Sequence, residues 1–400
     1  MLFEESSIKN MVLKNRIVRS ATHEGMSDEN GFPTPKLFKC YEKLAKGGVG
    51  LIITGLSFVS QDGKNCFGGM QGIDSDQHVP KYQELVDFVH EQGSKICMQV
   101  AHCGRQTTKT AIGTDPIAPS PVKDLSMLSK PRKMSEDDIE RIIQAFVNAV
   151  RRVKESGFDA VQLHAAHGYL LNQFLCPHTN RRKDRWGGSI ENRMRIISEI
   201  YERSRKIVGE DYPILIKINA TDNMKNGLKI DESLVMAQMI DAMGFDGIEI
   251  SCGIGEDGLS TMRGELPFHA MLDDWDMFKN LNPVFRLILR KTSKWFIKSV
   301  PFTPAYNLEN ARYIKEKVNI PVFLVGGLTN KPLMEKVLDD GDADYISLCR
   351  SLIFDPRWPE KIKNGSIENC RCINCNLCII YLNQRPLKCY YGKQLPAKAS

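Results

Sequence analysis

The sequence predicts an α/β protein built as a (β/α)8 barrel, and three observations carry that prediction. Short runs rich in Val, Ile and Leu recur along most of the chain, with amphipathic helical stretches between them. Most of the runs are continuously apolar rather than alternating, as expected of strands covered on both faces of a parallel sheet. Each run ends in polar or Gly-rich residues, which suits a barrel whose reactive groups collect at the C-terminal ends of its strands.

In chain order, the first strand is expected at Ile17–Ser20, with helix Pro35–Lys46 after it. The second, Gly50–Thr54, leads to helix Tyr82–Gln92, and the third, Ile96–Val100, to helix Glu136–Glu155. Ser135, followed by acidic residues, is a suitable N-cap for that helix. The fourth strand, Ala160–His164, precedes helix Ile190–Val208, and the fifth, Ile214–Ile218, precedes helix Glu232–Met243. The sixth, Gly247–Ile250, opens an excursion from Ser251 to about Asn307 before helix Leu308–Lys317. The seventh, Val322–Val325, leads to helix Pro332–Leu338, and Tyr345–Leu348 is the eighth. The excursion holds Trp275, Trp295 and a basic stretch, RLILRKTSKWFIK, that reads as an amphipathic surface helix. Long insertions of this kind cover or shape a catalytic mouth, plain packing being the alternative. One barrel domain over residues 1–360, with a Cys-rich tail over 361–400, is the expected organisation.

Composition bounds the function. The chain has 400 residues, is 42% hydrophobic and 26% charged, and so falls outside the disordered and fibrous classes. Its formal net charge of +6 is spread along the chain, and no nucleic-acid partner is expected. The start, MLFEESSIKN, lacks the charged-then-apolar design of a secretory signal. Apolar stretches such as VGLIITGL fall short of the roughly 20 residues a membrane span needs. A soluble, cytoplasmic protein without membrane contact is expected. Of 12 cysteines, five (Cys370, Cys372, Cys375, Cys378 and Cys389) crowd into the last 31 positions. In a reducing compartment such crowding points to metal ligands rather than disulfides.

The chemistry should lie at the strand ends. The fourth strand runs into His164, His167 and Tyr169. A lone His there is most often structural, but two imidazoles and a phenol so close together make a reactive group. Imidazoles can polarise a carbonyl oxygen, and a phenol can deliver a proton to a developing carbanion. A His–His metal site is the rival, although no third ligand follows at suitable spacing. The seventh and eighth strands end in Gly326-Gly327 and Cys349-Arg350. Glycines let backbone N–H groups approach a phosphate and Arg adds a forked charge, at the barrel's usual phosphate site. The bland reading is turn chemistry.

The stretch Gln162-Leu163-His164-Ala165-Ala166-His167-Gly168-Tyr169-Leu170-Leu171-Asn172-Gln173-Phe174-Leu175, followed by NRRKDRWGGSIENRMR, resembles the Old Yellow Enzyme family of flavin mononucleotide (FMN) oxidoreductases. LKNRIVRSAT, QVAHCGRQ and ISLCRSLIFDP match in the same order, over roughly residues 1 to 360. The chain is most similar to the branch holding 2,4-dienoyl-CoA reductase and trimethylamine dehydrogenase. The resemblance implies that Ala21, Thr22 and His23 lie along the flavin, Gln99 bonds its pyrimidine side, and Lys217 stands near its N1–O2 edge. It implies that Gly326, Gly327, Cys349 and Arg350 hold the phosphate, Cys349 standing where the family usually has Gly. His164 and His167 match the pair that grips a carbonyl or nitro oxygen, and Tyr169 the proton donor. The implied reaction is ping-pong: NADH or NADPH reduces FMN, which then reduces an electron-poor alkene. RRKDRWGG, with Trp186, is expected to buttress the loop after the fourth strand.

Cys372-x2-Cys375-x2-Cys378-x10-Cys389 is a four-thiolate spacing that suits a [4Fe–4S] cluster or Zn, with a metal-free tail as the third reading. The similar branch carries a [4Fe–4S] cluster there, although two of the gaps in this chain are each one residue shorter. That branch's C-terminal electron-input domains are expected to be missing, so a cluster would need an external electron-donor protein or be structural. The leading expectation is an ene-reductase for enones, enoates or enoyl thioesters, with homo-oligomerisation left open. Alternatives are an amine demethylase or a ferredoxin-fed reductase on the same barrel. From other classes come a flavin-free phosphate-binding lyase or isomerase using Lys217, and a degenerate barrel whose tail is an interaction module.

Overall fold

Eight parallel strands close into a barrel among the described residues of the computed structural model, which are 1–257, 260–275, 278, 281–296, 299–383 and 385–392. They are β1 (Ile17–Arg19), β2 (Leu51–Ile53), β3 (Lys95–Ala101), β4 (Ala160–Ala165), β5 (Ile214–Asn219), β6 (Gly247–Ser251), β7 (Val322–Val325) and β8 (Tyr345–Leu348). Each pairs with the next, and β8 returns to β1 through Ile346↔Ile17 and Leu348↔Arg19. Every strand lies within one residue of its expected limits.

The helices between them are α1 (Pro35–Lys46), α2 (Val79–Glu91), α3 (Glu136–Glu155), α4 (Ile190–Val208), α5 (Ile230–Met243), α6 (Leu308–Lys315) and α7 (Lys331–Asp339). Helix α3 shows why the local sequence folds as it does. Ser135 Oγ accepts from Asp138 N while the Asp138 carboxylate accepts from Ser135 N, a closed capping box. Ile139, Ile142, Ile143, Phe146, Val150 and Val153 then fall on one buried stripe, each worth about 1.5–3 kcal/mol in apolar transfer. Helix α2 starts three residues earlier than expected, at Val79, because Pro80 fits a first turn that needs no N–H donor.

Inside the barrel the continuous-apolar expectation needs correction. Outward side chains such as Ile52, Met98, Val161, Ile216 and Ile248 do pack against the helices. Inward ones divide into two levels. Val18, Leu51, Cys97, Ala160, Leu215 and Phe323 form an apolar floor with Ile8, Met11 and Leu13 of the N-terminal hairpin, in which Ser6–Ile8 pairs with Met11–Leu13. Two residues further along the strands the same face carries Gln99, Gln162, Lys217 and Glu249, all buried. Period-two alternation, hidden by the isoleucines between, lifts these polar groups toward the mouth.

The excursion after β6 contains the amphipathic helix, Pro283–Phe296, with Val284, Phe285, Leu287 and Ile288 exposed. The end of the basic stretch, residues 297 and 298, lies outside the described residues. The tail folds back toward the ends of β1 and β7. Leu387 N donates to Glu24 O at 2.8 Å, and Cys370 N to Thr329 O at 2.7 Å. Trp275 Nε1 of the excursion donates to Ile380 O of the tail at 2.8 Å. Among the described residues no helix is long and apolar enough to cross a membrane.

Candidate active site

The polar level of the barrel forms one hydrogen-bonded row. Gln99 Nε2 donates to Gln162 Oε1 at 2.7 Å, and Gln162 Nε2 to Glu249 Oε2 at 3.1 Å. The same oxygen lies 3.3 Å from Lys217 Nζ, which donates across the barrel to Ser20 Oγ at 2.9 Å. The row thus joins four strands to the end of β1. Gln99 and Lys217 are the members to which the sequence pointed; Glu249, Gln162 and Ser20 are additions from the structure. Glu249 had a signal in the sequence, since an acid flanked by isoleucines in a buried strand demands a partner.

One step further along β4 stands His164, whose register partner on β5 is Lys217. Its ring meets Tyr169 and His167 edge-on, with centroids 4.9 Å and 5.1 Å away. The three residues expected to act together are therefore brought together. His164 Nδ1 is buried and has no protein partner. His167 is held on every side: Nε2 lies 2.7 Å from Ser251 Oγ, its N–H donates to Asn219 Oδ1, and its carbonyl accepts from Gln106 Nε2. These contacts stabilise a left-handed backbone, φ 62°. Asn219, Ser251 and Gln106 were not foreseen.

Burial sets the protonation states. It holds both imidazoles well below their ordinary pKa, helped by the Lys217 charge and, for His167, by His164. Burial likewise pushes the Tyr169 phenol up, reinforced by the Cys103 and Cys66 thiols. The site therefore holds two neutral imidazoles and a protonated phenol at neutral pH.

The segment after β1 is braced from behind. Arg19 donates to Ile53 O, Thr22 O and Glu24 Oε1, and Tyr41 OH and Gly55 N also donate to Glu24 Oε1. Ala21 packs against the inner floor, and Thr22 Oγ1 sits 3.1 Å from Cys349 Sγ. His23 Nε2 lies 3.0 Å from Gly68 O and 3.3 Å from Asn65 Nδ2, which fixes the ring.

At the ends of β7 and β8, Gly326 and Gly327 have φ of 123° and 73°. A Cβ on Gly327 would stand 2.6 Å from Thr303 O, so the close approach of residues 303–306 requires glycine. Arg350 donates to Arg263 O at 2.7 Å and Asn376 Oδ1 at 2.8 Å. The expected phosphate Arg thus also ties the barrel to the excursion and the tail. On the other side of the mouth, the buried Arg105 pairs with Glu256 and donates to Lys123 O, pinning the excursion to the loop around Cys103–Lys130.

These residues suit FMN. Ser347 Oγ, His164 Nδ1 and Glu249 Oε1 are buried polar atoms without a protein partner, and Lys217 offers a cation beside the 21–23 segment. The metal centre expected in the tail is not shown. Among the described residues no group of three or more His, Cys, Asp or Glu side chains is arranged to hold a metal ion, so the Cys372, Cys375, Cys378 and Cys389 ligand set is not assembled. Cys378 instead packs as an apolar side chain with Leu382 and Leu387. Its thiol is pushed up by burial and by Cys349 and Cys372 nearby. The rival His164–His167 metal site is likewise not assembled.

A family model described as the NADH:flavin oxidoreductase / NADH oxidase family matches residues 1–253. The chain is 37% identical over 397 residues to an NADH oxidase of Thermoanaerobacter brockii, covering 97% of this chain and 55% of that protein. It is 34% identical over 356 residues to an NADPH dehydrogenase of Bacillus subtilis, covering 89% of this chain and 92% of that protein. A solved 2-naphthoyl-CoA reductase complex superposes with a TM-score of 0.81 at 26% identity, covering 96% of this chain and 55% of the other. An Old Yellow Enzyme homologue from Zymomonas mobilis shows the same fold, with a TM-score of 0.73 at 22% identity and coverage of 94% and 95%. The chain spans about half the length of the NADH oxidase and of a similar metal reductase from Desulforamulus reducens.

Proposed function

We propose, since the chain belongs to the NADH:flavin oxidoreductase / NADH oxidase family, that its barrel mouth reduces an activated C=C bond in an enone, enoate or enoyl thioester. The family makes the chain an FMN-dependent oxidoreductase; the alkene is our reading of the site. When bound, FMN supplies the hydride, taken from NADH or NADPH and delivered to the alkene β-carbon. His164 and His167 hold the substrate's oxygen by hydrogen bonds from neutral rings, which stabilises enolate-like charge without a full proton transfer. Tyr169 gives its proton to the α-carbon. Gln106, Asn219 and Ser251 keep His167 in place. Ala21, Thr22, His23, Gln99, Lys217, Gly326, Gly327, Cys349 and Arg350 are proposed to hold the cofactor.

The observation that carries this reading is the unpartnered Nδ1 of a buried, neutral His164 set edge-on to the Tyr169 phenol. No step is routed through the cysteine tail.

The purified protein should be yellow and should bleach anaerobically with NADH or NADPH. Tyr169→Phe should lower alkene turnover by about 100-fold or more while flavin reduction by the nicotinamide persists. A protein that stays colourless after FMN supplementation defeats the reading.

A further inference from the structure

Glu249 is a buried acid inside the barrel to which the chemistry above gives no step. Its residue is 0% exposed, its Oε2 accepts from Gln162 and lies 3.3 Å from Lys217 Nζ, and its Oε1 has no protein partner. A carboxylate so far from water depends on its countercharge, because an unpaired buried ion is strongly disfavoured. Register places Glu249 directly opposite Lys217 on adjacent strands. Lys217 in turn reaches Ser20, the residue before Ala21, so its ammonium stands beside the segment that lines the mouth. The row from Gln99 to Ser20 carries one positive and one negative group. The positive potential it projects into the mouth is therefore largely cancelled.

We infer that Glu249 is a positioning residue that acts through Lys217, fixing the ammonium beside the mouth and damping the positive field felt by a flavin bound there. The inference rests on the FMN reading above and concerns how readily the bound ring accepts electrons. On full reduction the ring gains two electrons and one proton and ends with one net negative charge; the reductant loses those two electrons and the proton. An undamped ammonium would stabilise that charge, and the paired one does so less. Gln in place of Glu249 keeps the shape and still accepts from Gln162, while removing only the negative charge.

The test is equilibrium reduction of the FMN-loaded protein against a reference dye, read from the visible spectrum. At fixed dye poise, Glu249→Gln should raise the ratio of reduced to oxidised flavin about tenfold, a shift of about 30 mV for a two-electron couple. Glu249→Asp keeps the charge but draws it back from Nζ, and should raise the ratio about two- to threefold. A ratio unchanged or lowered in Glu249→Gln overturns the inference. Should that variant fail to fold, an unchanged or lowered ratio in Glu249→Asp overturns it equally. A wild-type protein that binds no FMN is a separate result, and it defeats the function itself together with this role.

Discussion

The His164 ring meets the Tyr169 ring edge-on, with centroids 4.9 Å apart. Tyr169 packs against Leu56, Phe58, Met70, Ala101 and Cys103, and burial moves the two pKa values in opposite directions, the imidazole down and the phenol up. Each group is thereby kept uncharged across the neutral range, in the form the proposed reaction uses. The kcat/KM for the alkene should be flat from about pH 6 to pH 9, with no break at the ordinary imidazole value of about 6.5. A pH–rate profile that bends there would show that His164 or His167 titrates normally.

The same burial makes stability depend on pH. Unfolded imidazoles protonate near their ordinary value of about 6.5, whereas folded His164 and His167 protonate well below theirs. The unfolded chain therefore binds more protons in that window, so stability is full above it and lost as pH falls. Each imidazole should cost about 1.4 kcal/mol per pH unit until its folded value is reached. Thermal melts at pH 7.5 and 5.5 should show the fall, and a His164→Asn, His167→Asn double variant should flatten it.

Glu24 anchors the turn that follows β1. Its Oε1 accepts from Arg19, Tyr41 and Gly55 N, and its Oε2 from Gln71, all within the buried interior. Glu24→Ala leaves the Arg19 guanidinium, 3% exposed, without its carboxylate. Breaking a buried pair in this way should cost about 3–5 kcal/mol. Urea unfolding should report it as a lower midpoint with little change in slope.

Gly327 is the tightest test of the proposed phosphate end. Its φ is 73°, and the 2.6 Å that would separate a Cβ at this position from Thr303 O leaves no room for Ala. Gly327→Ala should cost about 1–2 kcal/mol in backbone strain and push residues 303–305 away. Fluorescence titration of FMN into the apoprotein should show at least about tenfold weaker binding, the equivalent of about 1.4 kcal/mol. Unchanged affinity would remove Gly327 from the cofactor site.

Much of the architecture was legible because it is written in short-range patterns. Val322–Val325 and Tyr345–Leu348 are apolar runs bounded by loop residues, and both appear at their expected limits. The Ser135 cap was legible because capping is a matter of three adjacent residues. His164, His167 and Tyr169 were legible because one strand end carries all three. Glu249, Ser251 and Asn219 were harder, since each matters through a partner distant in the chain, His167 in the case of Ser251. The cysteine spacing left its outcome open for a related reason. Spacing shows that four thiols could meet, whereas Cys378 is turned into a small apolar cluster with Leu382 and Leu387.

From its residues alone, the chain determined where the strands and helices lie and which strand ends carry imidazole, phenol, lysine and glycine. Those properties follow from local propensity, capping and periodicity, which act over a few residues. Closure of the barrel decided the rest. Only when β5 and β6 lie side by side does Lys217 meet Glu249, and only across the closed barrel does its ammonium reach Ser20. Burial then completes the site: with water excluded, neighbours far apart in the chain set which groups carry charge and which atom, His164 Nδ1, is left without a protein partner.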